Sequence, residues 1–319
     1  MKAITLNENG GTEKLIFTEI SKPQIQDHEV LIRVKAIGIN PVDAFVRQHA
    51  DAMSFIVGAK PDEQVIIGWD VSGIVEETGS RVTTWKPGDE VFGMVNFPGQ
   101  GKAYAEYVAA PADQLTLKPV NISHEGAAAA TLAALTAWQA LVTHGKLKAG
   151  EKVLIHAAGG GVGHYAIQIA KYLGAHVTGT GSAGKKDFIL GLGADAFIDH
   201  TTVRFEEIVR DADLVLDSLF GDHVFRSVDA VREGGRVITL LTFFTDEKLV
   251  QKVKEKEVYA HRLNVISSGE DMKQIAALLE AGNLRSYIAA SYHFDEMRTA
   301  HAAIEKGSTA GKIVVTIPS

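Results

Sequence analysis

Hydrophobic positions follow two different rhythms along the chain. Over roughly the first third, apolar residues come in short, partly alternating runs bounded by turn residues. Strands are predicted at Lys2–Leu6, Leu15–Glu19, Glu29–Ile39, Asp70–Glu77, Glu90–Met94 and Ala105–Ala109. In the third of these, Val30, Ile32 and Val34 alternate with Leu31, Arg33 and Lys35. Lys86-Pro-Gly-Asp89 and Phe97-Pro-Gly-Gln-Gly101 read as turns. Asp43–Ala52, after Pro41, breaks the rhythm and predicts a short helix.

After about residue 122 strands and helices alternate. Strands are expected near 152–157, 176–180, 195–199, 213–217, 235–240 and 262–266. Helices are expected near 162–173, 184–191, 203–210, 222–232, 246–257 and 270–281. Six strands with crossover helices predict an α/β fold with a doubly wound parallel sheet. The tail predicts a helix over Phe294–Lys306 and a strand over Lys312–Ile317 that return to the first domain. The expected domains are therefore 1–122 with 268–319, and 123–267. Residues 126–145 carry no Asp, Glu, Lys or Arg, but they are mostly small and predict a buried helix rather than a membrane span. Whether residues 47–67, with Met53, Phe55 and Ile56, form a lid is left open.

The second rhythm is organised around residues 152–174. Val153, Leu154 and Ile155 form a buried strand, Gly159, Gly160, Gly161 and Gly163 a turn, and Val162 to Leu173 a helix closed by Gly174. Such a junction points backbone N–H groups and a positive helix end at one place, which is a phosphate site. In Ala158-x-Gly160-x-x-Gly163 an alanine stands for the first glycine of the dinucleotide fingerprint. Gly160 allows a pyrophosphate to approach and Gly163 allows close helix–strand packing. An ordinary tight turn is the alternative. No acid follows the second strand until Asp187, while Ser182, Lys185 and Lys186 precede it. A 2′-phosphate wants hydroxyl and cationic donors, so this arrangement favours NADPH over NADH.

Composition narrows the partners. The 319 residues are 46% hydrophobic and 22% charged, with net charge −7 and no basic block. Nucleic acid and anionic membranes are not expected partners. The absence of cysteine excludes disulfides, thiolate nucleophiles and cysteine-ligated zinc. No two of the twelve histidines stand at a His-x-x-x-His spacing, and no metal is expected. Met1–Gly10 lacks the apolar core of a signal peptide, which gives a soluble cytoplasmic expectation.

Several short motifs in fixed order carry a resemblance. They are Gly38-Ile-Asn-Pro-Val-Asp43, Gly68-Trp-Asp-Val-Ser-Gly73, Lys86-Pro-Gly-Asp-Glu-Val91, Ala105-Glu-Tyr-Val108 and Leu135-Thr-Ala-Trp-Gln-Ala-Leu141. The glycine turn, Gly191-Leu-Gly-Ala-Asp195, Gly234-Gly-Arg-Val237 and Gly311-Lys-Ile-Val314 complete the set. Together they resemble the zinc-independent medium-chain dehydrogenase/reductases, the quinone oxidoreductase-like proteins. The resemblance implies a GroES-like β-rich catalytic domain, a Rossmann domain, NADPH in the cleft between them and a homodimer. In zinc-dependent relatives a cysteine stands where Asn40 does and a histidine where Trp69 does.

By position, the resemblance makes Asn40 and Thr136 the residues at the nicotinamide end. A turn asparagine before Pro41 and a threonine bonded to its own helix are the plainer alternatives. Asp43 matches a family position and is expected to serve structure. Phe45 replaces a tyrosine found in some relatives and cannot give a proton. Ala158, Gly160, Gly161, Val162, Gly163, Ser182, Lys185 and Lys186 form the expected cofactor site, with His200, Asp217 and Leu240 at later strand ends. Lys312 resembles a lysine that reaches the cofactor phosphates. Phe45, Trp69, Phe97 and Phe243 would supply an aromatic slot for a flat acceptor.

The expected chemistry is hydride transfer to a small-molecule quinone, without metal. A 2-enone or 2-enal reductase is the alternative within that chemistry. A non-catalytic NADPH-binding redox sensor is the alternative outside it, because no side-chain acid stands out.

Overall fold

Strand β1 (Lys2–Thr5) pairs antiparallel with β2 (Ile16–Glu19) in a small sheet of its own. β3 (Glu29–Ile39) is the longest strand, and Val30, Ile32, Val34, Ala36, Ile37 and Ile39 along it are buried. Each such side chain removed from water contributes about 1.5–3 kcal/mol. Helix α1 (Pro41–Gln48) follows, with Pro41 in its first turn, and then a short α2 (Ala50–Ala52) and a π-helical turn over Met53–Val57. β4 (Asp70–Thr78), β5 (Glu90–Met94), β6 (Tyr107–Pro111) and β7 (Thr116–Leu117) come next. This computed structural model describes residues 1–60 and 63–318, so Pro61 and Asp62 of the 47–67 stretch lie outside the described residues.

The alternating half begins with α3 (His124–Ala129) and α4 (Leu132–Trp138), then a π-helical segment over Gln139–His144. The strands and helices that follow are β8 (Lys152–Ile155), α5 (Gly161–Tyr172), β9 (His176–Gly181), α6 (Lys186–Gly191), β10 (Ala196–Asp199) and α7 (Phe205–Ile208). After these come β11 (Ala212–Asp217), α8 (His223–Ala230), β12 (Val231–Thr239), α9 (Glu247–Glu255) and β13 (Tyr259–Arg262). The tail contains α10 (Gly269–Glu280), β14 (Ile288–His293), α11 (Met297–Glu305) and β15 (Lys312–Thr316).

The chain forms two units, Met1–Leu135 with Val265–Ser319, and Thr136–Asn264. In the first, a sheet runs in the order β14-β15-β3-β4-β5-β7, with β6 also paired to β3. Its pairings are antiparallel except β14 with β15. In the second, six strands run in the order β10-β9-β8-β11-β12-β13, and every pairing is parallel. That is the doubly wound order, reversing beside β8, where ligands bind at the carboxyl ends of the strands.

Three features differ from the sequence expectation. The apolar run at 126–145 is a broken succession of α3, α4 and a π-helical segment. The first boundary falls at Leu135 rather than residue 122. α3 ends in small residues, and Ala127 to Ala130 are fully buried as it packs on β3 and β4. A Cβ on Gly38 would stand 2.6 Å from the Ala128 carbonyl oxygen, so the glycine makes that approach possible. The sixth parallel strand covers Tyr259–Arg262, earlier than expected, because Arg236 to Thr239 set its register. No helix among the described residues is long and apolar enough to cross a membrane.

Candidate active site

The second unit builds a phosphate cradle from its own backbone. After β8 the chain turns through Ala157, which has φ +48°, and Gly160 donates its N–H to the Ala157 carbonyl at 2.8 Å. A left-handed alanine is a strained backbone position, common where a turn serves a ligand. Gly160 then caps α5, whose first helical residues are Gly161, Val162 and Gly163. These N–H groups have no carbonyl a turn earlier to donate to, so they face outward at the positive end of the helix. A Cβ on Gly163 would stand 2.4 Å from the Ala157 oxygen and 2.6 Å from the Ala158 Cα. Gly163 is therefore the contact at which helix and strand touch, as its place in the fingerprint predicts. Ala158 is fully buried and donates to the Thr180 carbonyl at 2.9 Å, which sets the turn against β9.

Cationic groups lie beside this cradle. A Cβ on Gly159 would meet the Lys185 stem at 3.1 Å, which puts that side chain across the glycine turn. Burial lowers the Lys185 ammonium from its usual range. Ser182 begins the turn over Ala183–Lys185 and makes no capping bond with its hydroxyl. Lys186 is exposed at the start of α6. His200 is exposed too, and its N–H donates to the Gly181 carbonyl at 3.2 Å, which draws the end of β10 to the end of β9. Leu240 donates to the Asp217 carbonyl at 2.9 Å and so closes the ends of β12 and β11 together. These residues fit a dinucleotide with an extra phosphate.

Asp217 corrects an expectation. Its carboxylate is fully buried and takes the Leu219 N–H at 3.0 Å, the Ser227 hydroxyl at 2.7 Å and His223 Nδ1 at 3.2 Å. Those contacts turn its carboxylate into the protein. His223, Ser227 and the other contacts hold its carboxyl below the ordinary carboxylate range, against the opposing effect of burial.

The first unit places Asn40, Asp43, Asp70 and Lys312 in one buried cluster. The Asn40 N–H donates to Asp43 Oδ2 at 2.7 Å, which starts α1. Asn40 Nδ2 donates to Asp70 Oδ2 at 2.8 Å, and Lys312 Nζ donates to Asn40 Oδ1 and, at 3.1 Å, to the Ile39 carbonyl. The second Asp70 oxygen takes the Leu132 N–H at 2.9 Å. Asn40 is thus a linchpin between β3, β4 and β15, with both amide atoms engaged inside the protein. Lys312 is not a surface residue, because its ammonium is enclosed by this cluster. The Asp70–Lys312 pair was not foreseen in the sequence. Its signal was an acid opening an otherwise apolar strand, Asp70-Val-Ser-Gly-Ile-Val75.

Behind Asp43 the buried polar groups continue. Tyr104 Oη lies 2.9 Å from His301 Nε2, and Arg47 Nε donates to His301 Nδ1 at 3.3 Å. Arg47 also pairs with Glu305 and donates to the Gly10 carbonyl. Burial pushes the Asp43 carboxyl up to about 7, and burial, together with Arg47, pushes His301 down to about 3.

The expected aromatic slot divides. Trp69 is fully buried, donates from Nε1 to the Gly99 carbonyl at 2.8 Å and packs edge-on to Phe97 at 5.1 Å. It is a core support for Phe97 rather than a surface an acceptor touches. Phe97 precedes a cis proline and is half-buried. Phe45 is 42% exposed and lies 4.5 Å from His49. Phe243 belongs to the second unit and carries the Arg262 guanidinium 3.9 Å from its ring. Thr136 is buried within α4 at the start of that unit.

A catalytic zinc does not fit the position that zinc-dependent relatives suggest. Trp69 offers no ligand atom, the Asn40 amide is engaged, and the chain has no cysteine.

Parallel strand order, the glycine cradle and the mixed sheet together define a nucleotide-dependent dehydrogenase or reductase of two domains. Comparison with known proteins agrees. Residues 26–120 match the alcohol dehydrogenase GroES-like domain family, and residues 192–315 match a family described as zinc-binding dehydrogenase. The human quinone oxidoreductase is 31% identical over 331 residues, covering 99% of this chain and 98% of that protein. The chloroplastic NADPH-dependent alkenal/one oxidoreductase of Arabidopsis thaliana is 32% identical over 325 residues, covering 99% of this chain and 79% of its own. The solved quinone oxidoreductase of Coxiella burnetii superposes with a TM-score of 0.91 at 33% identity, covering 100% of this chain and 99% of that one. The chain belongs to the quinone oxidoreductase-like family of medium-chain dehydrogenase/reductases.

Proposed function

We propose that this protein is an NADPH-dependent oxidoreductase that reduces a quinone-type acceptor without a catalytic metal. NADPH, when bound, supplies the hydride. The protein's own residues bind, orient and exclude water. The N–H groups of Gly161, Val162 and Gly163 hold the pyrophosphate at the α5 terminus. Ser182 and Lys185 answer the 2′-phosphate, with His200 at the neighbouring strand end. Phe45 and Phe97 offer the acceptor flat apolar surface, and Trp69 stiffens Phe97 from below.

The observation that carries the choice of acceptor is the engagement of Asn40. Its amide nitrogen spends one N–H on Asp70 and its amide oxygen is held by Lys312, so the side chain is fixed in the interior with at most one N–H to offer an acceptor carbonyl. Phe45 has no donor. An acceptor that delocalises the incoming charge within its own ring asks least of such a protein.

A second reading is kept, because the Arabidopsis alkenal/one oxidoreductase is as similar as the human quinone oxidoreductase. The test is NADPH oxidation with benzoquinone, phenanthrenequinone, octenone and acrolein, each repeated with NADH. Turnover of the quinones with NADPH supports the first reading, and turnover of the enones alone replaces it with the second. Tight NADPH binding with no turnover would make a redox sensor the leading reading.

A further inference from the structure

In the second unit, His156, the residue after β8, stands opposite Asp217, the last residue of β11. Ile155 is in register with Leu216, and the His156 N–H donates to the Leu216 carbonyl at 3.0 Å. Their side chains therefore leave the same face of the sheet. That face is covered by α8, which begins with His223. His156, Asp217 and His223 each offer one ligand atom, and these atoms all lie within 4.8 Å of one another.

We propose that these three residues form a divalent-cation site, best suited to zinc, that clips β8, β11 and α8 together. Two imidazoles and one carboxylate are the ligand types that zinc takes, with bonds of about 2.0–2.1 Å and ligands spaced roughly 3.4 Å apart. The His223 Nδ1 to Asp217 Oδ2 separation, 3.2 Å, already matches. The Ser227 hydroxyl, 2.7 Å from Asp217 Oδ2 and 3.3 Å from His156 Nε2, lies between them, where a fourth ligand or an ordered water belongs.

The surrounding bonds are those that orient metal ligands. His156 Nδ1 is 3.0 Å from Thr180 Oγ1, which leaves Nε2, 3.3 Å from the Ser227 hydroxyl, as the ligand atom. The other Asp217 oxygen is fixed by the Leu219 N–H at 3.0 Å. Such partners set the tautomer and the ring angle of a ligating histidine. The Phe205 ring packs 4.4 Å from His156 and 4.9 Å from His223, giving the site an apolar wall. Arg226 is the nearby cation, and Glu206 meets its charge through two hydrogen bonds, at 2.9 and 2.8 Å. The His223 side chain is 15% exposed, which gives an ion a way in.

The site lies in the second unit beside the phosphate cradle, because His156 directly precedes Ala157, so its test reads metal binding and unfolding rather than NADPH turnover. The test uses the full chain, stripped with a chelator and titrated with Zn2+ or Co2+. Bound metal is counted after dialysis, thermal unfolding is followed, and the visible spectrum of the Co2+ form is recorded. The expected result is one ion per chain, a raised Tm and a histidine-type Co2+ spectrum. H223A changes a partly exposed residue and should lower affinity at least tenfold and abolish the Tm rise. T180V, which removes only an orienting bond, should weaken binding about 10–100-fold. No bound ion in the unaltered protein would overturn the proposal. Binding that H223A leaves unchanged would overturn it as well, because the ion would then sit on other histidines.

Discussion

The ammonium of Lys312 lies 3.7 Å from Asp70 Oδ2, with both side chains almost wholly enclosed. Burial pushes the Asp70 carboxyl up and the Lys312 ammonium down, and their mutual attraction opposes both shifts. The pair joins β15, near the C-terminus, to β4 through the side chain of Asn40. Removing one partner of a buried pair leaves an uncompensated charge, which costs about 3–5 kcal/mol. K312M should lose about that much in a denaturant titration. K312M with D70N should lose clearly less than K312M alone. Equal losses would mean that the pair holds no charge.

Asp43 and the buried histidines set opposite pH dependences. A carboxyl raised to about 7 binds its proton more tightly in the folded chain, so its contribution to stability is lost as pH rises from about 4 to about 7. His156 and His301, lowered to about 3, are neutral when folded and charge when unfolded. Their contributions are complete above about pH 6.5 and are lost as pH falls toward 3. Between about pH 4 and 6.5 Asp43 therefore offsets part of the acid loss. D43N keeps an acceptor for the Asn40 N–H and removes the proton. Its stability should fall more steeply on acidification, by about 1.4 kcal/mol per pH unit. Urea midpoints at several pH values measure this, and parallel curves for the two proteins would refute it.

At the glycine cradle, G163V should force α5 away from β8, because its Cβ would lie 2.4 Å from a backbone oxygen. NADPH affinity, read by quenching of protein fluorescence, should fall at least tenfold. G184A, at a position with open space around the glycine, should bind as the unaltered protein does.

Lys185 tests the nucleotide preference. A charge-assisted hydrogen bond is worth about 1.5–3 kcal/mol, or roughly 10–150-fold in affinity. K185A should lose about that factor for NADPH and almost none for NADH. An equal loss for both would take Lys185 out of the 2′-phosphate site.

Phe45 is exposed enough to accept a hydroxyl without disturbing the core. F45Y should raise enone turnover relative to quinone turnover if a missing donor limits the former. An unchanged ratio in steady-state assays would separate the two properties.

The chain's order alone determined the alternation of strand and helix after residue 122 and the glycine cradle with Ser182 and Lys185 beside it. These are local properties, since periodicity, turn chemistry and fingerprint spacing act over a few residues. Tertiary structure decided what the isolated polar residues do. Asn40, Asp217 and Lys312 read as cofactor or substrate groups because they stand at positions the resemblance assigns to that chemistry. Folding brings Lys312 beside Asp70 and Asn40, and Asp217 beside His223, across separations no local pattern encodes. Once enclosed, a polar group must satisfy itself with the nearest buried partner, and that need fixed their roles. Trp69 changed role for the complementary reason: its ring gains most from full burial, and its one donor found the Gly99 carbonyl.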